Sequence, residues 1–79
     1  MDDFSKKVAR MVRFHRKKAR LTQLELAELS SVGKTAVFDI EKGKTTVQLN
    51  TLLMVLNVLN IQPVFQGPLM HQFEEYEKS

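Results

Sequence analysis

The sequence predicts an all-α protein: a small helical bundle in which two short helices meet at a tight turn, plus one C-terminal β-strand that pairs across a dimer. Three observations carry that expectation. Apolar residues recur at three- and four-residue steps in the first twenty positions and crowd together again from Gln48 to Leu59, the patterns of an amphipathic helix and of one buried on most sides. A helix-start signal at Thr22 and a glycine at position 43 bracket two short helical stretches separated by a polar break. An extended stretch, Ile61–Gln66, follows the last helix and stops at Gly67-Pro68.

Size limits what such a chain can be. With 79 residues it forms one domain, and a domain this small buries only about 60% of the surface its unfolded chain exposes. We read residues 1–67 as that domain, with the strand at 61–66, and residues 68–79 as a flexible tail. There is no cysteine, so neither a disulfide scaffold nor a thiolate metal site is expected, which fits a reducing cytoplasm and equally a simple periplasmic domain. Charge interrupts Met1–Arg20 every few positions, which argues against an export signal or a membrane span and for a cytoplasmic location.

The first helix runs from Phe4 to Ala19, with Phe4, Val8, Met11, Val12 and Ala19 on its apolar side. His15 falls within that stripe, where a hydrogen-bonded packing role is the expectation, since no second histidine or carboxylate is spaced to share a metal with it. The net charge of +3 is unevenly spread: Lys6, Lys7, Arg10, Arg13, Arg16, Lys17, Lys18 and Arg20 make up eight of the twelve basic residues. Such a stripe is the footprint of a phosphate-binding surface, or simply a solvated helix face.

Thr22-Gln23-Leu24-Glu25 has the capping-box spacing, in which the hydroxyl and the carboxylate each satisfy the other residue's free backbone donor. A second helix from Gln23 to Ser30 follows. Ser30-Ser31-Val32-Gly33 breaks it, and Lys34–Lys42 resumes helical spacing through Val37, Ile40 and Glu41 until Gly43. Two short helices about a tight turn form the helix-turn-helix pattern. In the last helix, Leu49, Leu52, Leu53, Leu56 and Leu59 share one face while Met54, Val55 and Val58 widen it. That is more apolar surface than so small a bundle can cover. Asn60 closes the helix, and a lone strand at Ile61–Gln66 leaves its backbone unpaired. One twofold axis meets both needs, so Leu52, Val55, Leu56, Leu59, Ile61, Val64 and Phe65 are the expected dimer interface.

Thr22-Gln23-Leu24-Glu25-Leu26-Ala27-Glu28, then Val32, Lys34, Val37, Ile40-Glu41-Lys42-Gly43, Leu49, Leu52-Leu53 and Leu56, closely resemble the Xre family of Cro and phage-repressor type, over about Val12 to Ile61. The chain length and Ile61–Gln66 are similar more particularly to HipB-type antitoxins. The resemblance implies a lambda-repressor-like fold and a strand shared across a dimer. It makes Gln23 a clamp on the DNA backbone, Lys34–Asp39 the major-groove face, and Arg16 with Glu41 a structural ion pair.

The residues agree with that implication. Lys34, Thr35 and Phe38 lie at i, i+1 and i+4, opposite Val37 and Ile40, and so can reach base edges while the helix stays packed. Lysine suits guanine acceptors, threonine a phosphate or a thymine methyl, and phenylalanine a thymine methyl. Asp39 can accept from cytosine but repels phosphate, and Lys44 adds a phosphate contact. Departures from the family pattern are Phe14, Leu24 and Leu29, where charged residues are usual, and His15, where an aliphatic one is usual.

The function expected is thus a homodimeric repressor of double-stranded operator DNA, reading two half-sites about one helical turn apart. As the resemblance to HipB has it, the protein is the antitoxin of a HipA-like kinase toxin and represses its own operon. The alternatives are a stand-alone Xre-type regulator without a toxin partner and a protein-interaction module on the same scaffold. No nucleophile with its base, metal cluster or glycine-rich phosphate loop is present in the sequence, so neither catalysis nor a cofactor is expected.

Overall fold

The computed structural model describes residues 2–79 as five helices: α1 (Asp2–Lys18), α2 (Gln23–Ser30), α3 (Lys34–Glu41), α4 (Leu49–Val58) and α5 (Met70–Lys78). The capping box at Thr22 is formed. The Thr22 hydroxyl accepts from the Glu25 N–H at 3.0 Å, and the Glu25 carboxylate accepts from the Thr22 N–H at 2.8 Å. Four of the five helices end in one way. Arg20, Ser31, Gly43 and Asn60 each take positive φ, and the N–H of the next residue reaches back to a carbonyl in the last helical turn: Leu21 to Arg16, Val32 to Ala27, Lys44 to Asp39 and Ile61 to Leu56. This Schellman closure satisfies carbonyls that the helix itself leaves free.

Helix α3 packs against α1, α2 and α4. Its Val37 and Ile40 lie in the core with Val12 of α1, Leu26 and Ala27 of α2, and Val55 and Leu56 of α4. A ring of half-buried residues, among them Val8, Met11, Leu21, Val32 and Leu59, seals that core. The helix that presents its outer face to solvent is therefore held from three sides.

Several expectations need correction. Helix α1 ends at Lys18, not Ala19, and Ala9 is buried while Phe4 is 71% exposed. Phe4 lines a groove with Val8, Val47, Leu49 and Leu52 that is open enough to leave most of its side chain in water. Ile61–Gln66 forms no strand, and no strand occurs among the described residues, because an extended segment without a neighbouring strand has no ladder to join. Residues 68–79, expected as a flexible tail, contain α5, which buries none of its residues. Val55, counted as surplus apolar surface, is fully buried at the centre of the core.

Candidate nucleic-acid interface

The outward face of α3 carries the polar residues. Val37 and Ile40 point into the core, leaving Lys34, Thr35 and Phe38 exposed and Asp39 half-buried. Gly33 precedes the helix in extended backbone, with no side-chain cap at its first turn. The Lys42 ammonium lies 5.0 Å from the Phe38 ring centroid, a cation over the negative face of an aromatic ring. On the other flank the Lys44 ammonium is 3.3 Å from Asp39 Oδ1. Each side of the face thus carries a lysine held over it.

Beneath the face, Arg16 joins α1 to the end of α3. Its Nε donates to Glu41 Oε2 at 2.6 Å and its Nη2 to Glu41 Oε1 at 3.0 Å, while Nη1 donates to the Leu21 carbonyl at 2.8 Å. Gln23 Nε2 donates to the same Glu41 Oε1 at 3.1 Å. The two charged side chains are 12% and 5% exposed, so the bidentate pair is nearly removed from water. The hydrogen bond to Glu41 raises the Arg16 pKa above its ordinary value, with burial opposing and the carboxylate's charge reinforcing. Arg16 is committed to holding α3 and Gln23 in position.

A notch lined by Arg13, Gln23, Phe38 and Lys42 opens over this pair. Gln23 thus stands beside two cations, Arg13 and Lys42, that the sequence reading did not assign to the interface. The signal was there for Arg13, as one of the basic residues of α1. For Lys42 it was there too, since Phe38 and Lys42 are four positions apart and so share one side of a helix. His15 Nδ1 lies 2.7 Å from the Met11 carbonyl, which occupies the ring within its own helix. Among the described residues no group of histidine, aspartate or glutamate side chains could hold a metal ion.

The expected dimer residues divide. Val55 and Leu56 are buried within the chain itself and have no area left to offer a second subunit, so they are removed from that interface. Leu52, Leu59 and Ile61 are half-buried against the same core, whereas Val64 and Phe65 are exposed. The outer side of α4 instead presents Leu53 and Met54, which border a shallow groove with Ile61 and Pro63.

The sequence profile of the Helix-turn-helix family matches residues 12–66, from the second half of α1 through the extended segment. A protein of Sinorhizobium fredii that bears the name "Uncharacterized HTH-type transcriptional regulator y4mF" is 40% identical to this chain over 52 residues, covering 66% of this chain and 68% of that protein. The matched stretch contains capped α2, the left-handed turn at Ser31 and α3, and this chain belongs to the helix-turn-helix family.

Proposed function

We propose that this chain is a sequence-specific DNA-binding transcriptional repressor that acts as a homodimer. The observation that carries the reading is the division of α3 in a chain of this family: Val37 and Ile40 are buried, Lys34, Thr35 and Phe38 exposed. Lys34 and Thr35 contact base edges in the major groove, with Phe38 against a thymine methyl. Gln23 and Lys44 contact phosphates, and Arg13 and Lys42 extend that set. Asp39, shared with Lys44, sets the edge of the reading face. A twofold axis past Leu53, Met54 and the 61–66 segment presents two such faces to half-sites about one turn apart.

The finer assignment, an antitoxin that represses its own operon and binds a HipA-like kinase toxin, is supported by the similarity of Ile61–Gln66 to the same segment of HipB-type proteins. A kinase-like reading frame adjoining the gene is its expected companion, and an unrelated neighbour leaves the stand-alone regulator. One observation favours a protein-interaction role beside DNA binding: Phe14, Leu24 and Leu29 are all exposed. Titrating random duplex with salt tests the main reading. Phosphate neutralisation makes log affinity fall linearly with log salt, with a slope near −0.9 for each phosphate contacted, so six contacts from two subunits give roughly −5. A slope near zero removes the DNA assignment.

A further inference from the structure

Helix α3 carries an acid on the face that meets a polyanion, and the fold gives that acid a partner. Asp39 stands four residues after Thr35, one turn along the same outward side. Its side chain is 32% exposed, and its Oδ1 lies 3.3 Å from the Lys44 ammonium, whose side chain is 51% exposed. The backbone fixes this meeting. Gly43 turns at φ 80, and the Lys44 N–H donates to the Asp39 carbonyl at 3.1 Å, so the chain that leaves α3 comes straight back to Asp39.

Lys44 thus has one charge and two claims on it, the carboxylate and a phosphate. In water an ion pair this exposed is weak, and Asp39 gives up its lysine at little cost. In the major groove the balance reverses. Phosphates repel the carboxylate and the closing interface strips it of water, so an Asp39 left there without a donor is costly. Lys44 reaches a phosphate freely only where a base supplies Asp39 with a donor in its stead. Cytosine does so through its N4 amino group, whereas guanine and thymine turn acceptors toward a carboxylate.

We propose that Asp39 and Lys44 act as an exchange pair. On non-cognate duplex the lysine stays with the carboxylate; at a cognate half-site Asp39 accepts from a cytosine N4 amino group and Lys44 passes to a phosphate. This rests on the DNA-binding reading above and deepens it, making Asp39 a specificity-determining residue. A wrong base forfeits the hydrogen bond and the phosphate contact together. Loss of Lys44 still weakens every site, through the missing phosphate contact at the cognate one and the uncovered carboxylate at the others.

Salt titration and site selection with the full chain test the exchange. On a duplex of random sequence, Asp39→Asn frees Lys44 for phosphate, and the slope of log affinity against log salt should steepen by about 0.9 per subunit, roughly 1.8 for a dimer. With Lys44→Gln already in place, the same substitution should leave the slope where it was. Selection from a randomised duplex pool should return cytosine at one position of each half-site. Asp39→Asn should lower that preference about tenfold and leave the position read by Lys34 unchanged. An unsteepened slope shows that Lys44 reaches phosphate without leaving Asp39 and overturns the exchange. Equal steepening with and without Lys44 reduces Asp39 to a general repulsion and overturns it as well. Selection indifferent to Asp39→Asn removes the base contact. The DNA-binding reading survives all three results and falls only if the unaltered chain itself gives a slope near zero.

Discussion

Arg16 closes three contacts at once, two to Glu41 and one to the Leu21 carbonyl, and nearly all of the pair is out of water. Removing one partner strands the other charge, which costs about 3–5 kcal/mol. Arg16→Ala is therefore expected to lower unfolding free energy by roughly that amount in equilibrium urea titrations, and a change near zero would return Arg16 to the phosphate-binding set. The sign with pH follows from the raised Arg16 pKa: its stabilisation is complete below the ordinary arginine range and is lost only as pH climbs through the higher folded value. The Arg16→Ala deficit should thus be the same at neutral and mildly alkaline pH. Lys34 stands free on the α3 face, and Lys34→Ala should weaken binding to the preferred site about tenfold to hundredfold and relax one base position. Lys44→Ala should instead weaken all sequences alike. Selection of binding sites with each variant separates the two outcomes.

At the scale of elements, helix ends distinguish what local residues encode from what packing imposes. Gly43 and Asn60 occupy left-handed backbone that their residue types tolerate. Arg20 and Ser31 take the same conformation at φ 60 and 58 with no such tolerance, a cost of roughly 1–2 kcal/mol for an ordinary L-residue. Ser31 forms the turn between α2 and α3 and its side chain is exposed, so Ser31→Gly removes that cost without losing packing. Glycine's greater freedom when unfolded offsets part of the gain. A net rise of about 0.5–1 kcal/mol in stability is expected from thermal or urea unfolding, and a loss would mean that the hydroxyl contributes more than the backbone costs. Spacing alone could locate this turn through Gly33, but it could not say that Ser31 would bend it.

For the whole molecule, the question is what covers the surface that one chain leaves open. Leu53 and Met54 of α4 and Val64 and Phe65 beyond it are exposed together, and Ile61–Gln66 has no partner strand among the described residues. Truncation after Asn60 is expected to weaken dimerisation in analytical ultracentrifugation, and to reduce affinity for a paired operator far more than for one half-site, because linked half-sites bind as a unit. Truncation after Gly67 keeps that segment and removes α5 alone, so the two deletions apportion the loss between the 61–66 segment and the C-terminal helix. A truncation at Asn60 that dimerises as well as the full chain would leave neither with a role.

The order of residues alone determined where α2 and α3 lie, since a capping box, a polar break and the Gly43 stop are set by neighbours a few positions apart. It also determined which side of α3 faces out, because the alternation of Val37 and Ile40 with Lys34 and Phe38 obeys a fixed helical period. The Arg16–Glu41 pairing spans 25 positions and was legible only through likeness to a family, as no local rule brings α1 to the end of α3. The helix from Met70 to Lys78 is no product of tertiary packing, since it buries none of its residues. Tertiary structure decided that Val55 and Leu56 fill the chain's own core, and that Arg13 lines one notch with Phe38 and Lys42. The reason is physical: periodicity states that a face is apolar, but which neighbour covers it depends on how helices distant in the chain pack.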